Sequence, residues 1–116
     1  MSTKVKKKTY LIESGDMSSD ITSSVQENFE VMYTTVYIWW SGTSPVGTVS
    51  VFARVNPEKE KTPIYQQLTL SSSLVVTGNT GSLTVNFNAP LGQWYIKYNA
   101  TSGTGTMNAT WEGRSE

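Results

Sequence analysis

The chain has 116 residues, enough for one two-layer core and too few for two. It carries nine basic and nine acidic residues but no histidine and no cysteine, which removes disulfides, thiolate metal sites, the usual general base and any Cys–His or Ser–His–Asp assembly. Ser and Thr supply 31 of the 116 residues, a balance that favours pleated strands joined by polar turns over helices.

Lys4, Lys6, Lys7 and Lys8 gather at the start of the chain. Residues 1–8 read as a flexible basic arm ahead of a single domain over residues 9–116. Such an arm reaches an acidic protein surface or nucleic acid, or is merely a solvated, frayed terminus. The remainder carries more acidic than basic residues, so no broad phosphate-binding face is expected and nucleic acid is not the expected partner. No apolar run approaches a membrane span. The segment Thr9-Tyr10-Leu11-Ile12-Glu13 is too short for the core of a signal peptide. The expectation is synthesis and folding in the cytoplasm, with no membrane partner.

Residues 9–13 predict a first strand ended by Ser14-Gly15-Asp16, and residues 21–25 a weak, Ser-rich second one. Residues 32–40 are dense in β-formers. Residues 48–55 alternate Val49, Val51, Ala53 and Val55 against Ser50, Phe52 and Arg54. Asn56 to Pro63 is a charged, proline-bracketed loop expected to be exposed and mobile. Strands follow at residues 64–70 and 74–77, then a tight turn at Gly78-Asn79-Thr80-Gly81 and a strand in which Leu83, Val85 and Phe87 alternate with polar residues. Residues 94–98 and 106–112 close the domain. This rhythm predicts an all-β, antiparallel, jelly-roll-like β-sandwich in a single domain.

Two stretches, residues 37–51 and 95–109, each read as a β-hairpin: an aromatic alternating arm, a Ser/Gly/Thr turn, and a second arm. They align without a gap, Tyr37 on Tyr95, Ile38 on Ile96 and Trp40 on Tyr98. Either an internal repeat or the Thr/Ser/Gly-rich composition produces that match. Lys97 anchors the faces: with Lys97 outward, Trp94, Ile96 and Tyr98 point inward and Tyr95 outward. Through the alignment Ile38 and Trp40 are inward, and Tyr37 and Trp39 outward. Composition offers Trp39, Trp40, Trp94, Trp111, Phe29, Phe52 and Phe87 for the core, and alternation narrows the expected core to Trp40, Trp94, Ile96, Tyr98 and Trp111, with Phe29 and Phe87 further candidates. Tyr37, Trp39, Phe52 and Tyr95 are the expected outer aromatic face, with Arg54 a possible neighbour of Trp39. A second layer or the N-terminal segment covers such a face, or a partner does.

No catalytic constellation emerges. Glu58 and Glu60 alternate with lysines in a loop, and Glu112 and Glu116 lie near the end of the chain. None has a context that suggests pKa tuning. Gly103-Thr104-Gly105 lacks the spacing of a phosphate loop, and Asp16 with Asp20 is a weak calcium signal. Asn99-Ala100-Thr101 and Asn108-Ala109-Thr110 match the glycosylation sequon by chance. The expectation is a protein that is not an enzyme, with no cofactor and no metal.

The run from Trp40-Ser41-Gly42 through Val46-Gly47-Thr48, with Tyr95-Ile96-Lys97-Tyr98 and Ser102-Gly103-Thr104-Gly105-Thr106-Met107-Asn108-Ala109, resembles a family of small β-sandwich virion structural proteins of tailed bacteriophages. The resemblance spans roughly residues 20–113. Tyr65 stands where the family pattern has Trp, and Met107 where Leu is commoner. The resemblance implies a non-enzymatic particle component, a capsid decoration, neck or tail accessory protein, present in the virion in several copies or as a homo-oligomer. Its implied partners are other virion proteins. Tyr37, Trp39, Phe52 and Tyr95 would form the contact surface, with Lys4, Lys6, Lys7 and Lys8 as a secondary tether. A carbohydrate- or surface-binding module is the alternative, since outward Trp and Tyr rings can stack on sugars.

Overall fold

A computed structural model describes residues 8–27, 33–70, 72–87 and 92–114. Its elements are β1 (Thr9–Asp16), β2 (Ile21–Thr22), β3 (Gln26–Glu27), β4 (Tyr33–Arg54), β5 (Tyr65–Gln67), β6 (Leu74–Val76), β7 (Thr80–Phe87) and β8 (Gln93–Arg114). Every pairing among them is antiparallel, in one eight-stranded sheet, and no helix occurs among the described residues. Lys4, Lys6, Lys7 and the core candidate Phe29 lie outside the described residues.

The two segments expected to be hairpins are instead the middles of β4 and β8. These strands of 22 residues each pair with one another from Tyr33↔Arg114 to Ala53↔Trp94. A straight strand of that length would run about 70 Å at roughly 3.3 Å per residue, yet the longest dimension of the molecule is 42 Å. The ribbon is therefore creased. The crease lies where the register shifts, between Thr43 and Gly47, and there Ser44 has φ 48° and Gly103 φ 83°. A Cβ at Gly103 would run into the Ser44 carbonyl, and one at Gly42 into the Thr104 backbone. The glycines let two backbones touch at a bend rather than turn a single chain back on itself.

Fold-over is visible in the core. Trp94 and Trp111 sit on the same strand, yet their rings meet edge to face with centroids 5.3 Å apart. Two half-sheets result. The first comprises β1, the C-terminal part of β8, the N-terminal part of β4, and β7; the second comprises β2 and β3, the N-terminal part of β8, the C-terminal part of β4, then β5 and β6.

Inward residues of β4 are Val36, Ile38 and Trp40 before the crease, then Val49, Val51 and Ala53 after it; those of β8 are Trp94, Ile96 and Tyr98, then Met107, Ala109 and Trp111. The parity changes at the crease in both strands, because each carries an extra residue through it. All five expected core residues are buried.

The gapless alignment of residues 37–51 with 95–109 has a geometric counterpart. Ile38 faces Ala109 across the ribbon while Val51 faces Ile96, and Trp40 faces Met107 while Val49 faces Tyr98. Exchanging each residue for its aligned partner converts one pair of contacts into the other, so the crease lies on an approximate two-fold axis. The flanking strands obey it too: among the described residues β1, β2 and β3 pair only with β8, and β5, β6 and β7 only with β4. The two halves of the chain are intertwined.

Candidate interaction faces

On the outer side of the first half-sheet, cross-strand neighbours share a face and form rows. Trp39 stands between Ser82 and Asn108; Tyr37 stands between Thr84 and Thr110, with Tyr10 beyond Thr110. Trp39 is 39% and Tyr10 48% exposed. Among the described residues Trp39 packs against no other aromatic ring. Tyr37 is held from both ends. Its hydroxyl donates to Glu112 Oε1 at 2.8 Å, and the Lys8 ammonium sits 4.5 Å above its ring centroid, a cation–π contact. The bond to the largely buried Glu112 carboxylate pushes the Tyr37 phenol up from its ordinary value, with desolvation adding to it.

Phe52 and Tyr95 are on the outer side of the second half-sheet. They are direct cross-strand neighbours, stacked at 5.0 Å with planes 9° apart. Tyr65 from β5 meets Tyr95 edge to face, also at 5.0 Å. The ring faces are thus turned largely onto one another. Arg54 beside them makes four hydrogen bonds. It donates to Asn56 Oδ1, to Gln93 Oε1 at 2.6 Å, and to the carbonyls of Pro57 and Glu60. Lys97 faces Asp20 at 3.8 Å, and Ser50 Oγ accepts from Asn99 and Gln67.

The four residues expected to share one patch therefore divide. The structure brings Phe52 and Tyr95 together and sets Tyr37 and Trp39 on the other half-sheet, because the ribbon folds between them. Arg54 is not a neighbour of Trp39 but the organiser of the loop after β4. That loop is exposed as expected, and it is also knit by Asn56, which donates to Glu60 Oε1 and the Thr62 carbonyl and accepts from Ile64 N–H. Of the four N-terminal lysines Lys4, Lys6, Lys7 and Lys8, Lys8 alone is described, and it lies against Tyr37 rather than extending away.

Sequence reasoning missed Tyr65 and Tyr10 as members of these faces. Tyr65 joins only through the pairing Arg54↔Tyr65 and Tyr10 through Tyr10↔Thr110, registers that no local pattern encodes. The Asp16 and Asp20 carboxylates anchor backbone. Asp16 accepts from Ser18 N–H and Oγ–H, which holds its carboxyl below the ordinary value, and Asp20 accepts from Ala100 N–H. Among the described residues no three Asp or Glu side chains gather as a metal-binding group. Neither a protein-family model nor a curated protein matches the chain.

Proposed function

We propose that this chain is a non-enzymatic structural component of a phage particle, a capsid decoration, neck or tail accessory protein that works through protein–protein contacts. The observation that carries the contact reading is the outer face of the first half-sheet. There an unstacked Trp39, with Tyr10 and Tyr37 near it, stands among Ser, Thr and Asn side chains on the four-stranded half-sheet of β1, β8, β4 and β7. Large aromatics on a firm support act as interface anchors, because little conformational entropy is lost when they are covered. The resemblance of the two Gly/Thr segments to virion β-sandwich proteins supplies the particle. Many copies on a shell would make weak individual contacts sufficient.

A second reading, a saccharide-binding face, is favoured by the position of Trp39 between Ser82 and Asn108, an indole flanked by hydroxyl and amide groups. The stacked Phe52–Tyr95 pair offers less ring face for such a role.

Mass spectrometry of purified particles produced in cells carrying the gene tests the proposal. A stoichiometric presence in particles is expected. A protein found only in the soluble fraction would overturn the particle reading, and a glycan-array signal lost in Trp39→Ser would favour the saccharide reading.

A further inference from the structure

Among the described residues the folded sheet has four open edges, and three are blunted. β1 is broken by two register shifts, has Ser14 at φ 53°, and carries Glu13 and Asp16. β2 and β3 are two-residue pieces, and Ser23 between them spends its N–H on the Ile96 carbonyl and its Oγ on the Ile96 N–H. β5 and β6 are three-residue pieces that pair with two separate stretches of β4, Phe52–Arg54 and Gly47–Val49. Bulges, interruptions and charges are the devices by which proteins stop an edge from recruiting another strand.

β7 has none of them. Thr80-Gly81-Ser82-Leu83-Thr84-Val85-Asn86-Phe87 runs eight residues in unbroken register with β4, from Ser41↔Thr80 to Thr34↔Phe87. It contains no charge, no proline and no bulge, and among the described residues it pairs with β4 alone. Leu83 and Phe87 point to the inner side yet stay only partly buried, whereas Val85 between them is buried.

We infer that β7 is a self-pairing edge that takes β7 of a second copy of this chain, antiparallel, about a two-fold axis through Thr84. A strand meeting its own copy must match itself on both faces. With Thr84 opposite Thr84, Ser82 falls opposite Asn86 on the outer side and Leu83 opposite Val85 on the inner side, so polar meets polar and apolar meets apolar. Gly81 falls opposite Phe87, and the space a Cβ would take at Gly81 is filled by the Trp40 indole of its own chain. The lack of charge matters for this occupant in particular, because any charge close to the axis would face its like. The joined half-sheets would run β1-β8-β4-β7 and back through β7-β4-β8-β1 of the partner. The outer faces bearing Trp39 would then form one continuous surface on a two-fold pair. This inference deepens the contact reading above, but it concerns purified protein and stands or falls without particles.

The pair is small by the standard of stable interfaces, so association should be weak and concentration-dependent. Sedimentation velocity of the full chain over a range up to about 1 mM is the measurement. Wild type should shift toward dimer across that range. Thr84 is exposed, so Thr84→Lys and Thr84→Glu should fold normally by circular dichroism. Each variant alone should dimerise at least about fivefold more weakly, and an equimolar mixture of the two should recover the association. A wild type that stays monomeric throughout, or a dimer indifferent to both substitutions, would overturn the inference. Either result would leave the particle proposal untouched, since that is read from particle composition.

Discussion

The two outer faces occupy equivalent places on either side of the crease, and they have been finished in opposite ways. Inside, the aligned positions keep one job: Ile38 and Ile96, and Trp40 and Tyr98, are all buried. Outside, Tyr95 is packed between Phe52 and Tyr65, whereas its counterpart Tyr37 is pinned by Glu112 and Lys8. The counterpart of the exposed Trp39 is Lys97, an ordinary solvated cation near Asp20. Core packing constrains the inward set, because a volume change there is felt at once. The outward set is released from that constraint, and a bare tryptophan there is the position that packing explains least.

The largest expected effect comes from breaking what the halves share. Trp94→Ala removes the ring that meets Trp111 across the fold-over, and should cost about 3–5 kcal/mol by chemical denaturation. An unchanged midpoint would show that the halves do not pack face to face. Next is the crease. Gly103→Ala places a Cβ against the Ser44 carbonyl at a left-handed φ and should cost at least about 2 kcal/mol. Ser44→Gly relieves a left-handed non-glycine residue and should be neutral or stabilising. If both were silent, the bend would not depend on these residues.

A smaller effect separates the aligned residues Trp40 and Tyr98. The Trp40 indole N–H donates to the Gly78 carbonyl at 3.2 Å, while the buried Tyr98 hydroxyl has no partner among the described residues. Tyr98→Phe should therefore raise stability by about 1 kcal/mol, whereas Trp40→Phe should lower it. Burial first, and the Asp20 charge second, push the Tyr98 phenol up. In the unfolded chain that phenol ionises near its ordinary pKa of about 10. Its contribution to stability is complete below that pH and is lost as pH rises through the higher folded value. Wild type should thus weaken above about pH 10 more steeply than Tyr98→Phe, and equal slopes in thermal melts would contradict this.

Strand alternation and one outward lysine were enough to read the inner face of residues 94–98 and, through the alignment, that of residues 37–40. The path of the chain was not legible, because Ser, Gly and Thr serve a tight turn and a crease equally well. What decides between them is whether Gly42 meets its own strand's return or Gly105 of a strand half a chain away, and that is a long-range fact. The same holds for the faces. Phe52 beside Tyr95, Tyr65 beside both, and Trp39 apart from them all follow from register, which no local pattern carries.

The most direct test of the outward tryptophan pairs two readouts on one variant, Trp39→Ser. Its melting temperature should match wild type, with a stability change within about 0.5 kcal/mol, while its incorporation into particles should fall sharply. Normal incorporation by the folded variant would place the adhesive surface elsewhere, and unfolding would mean that Trp39 belongs to the core.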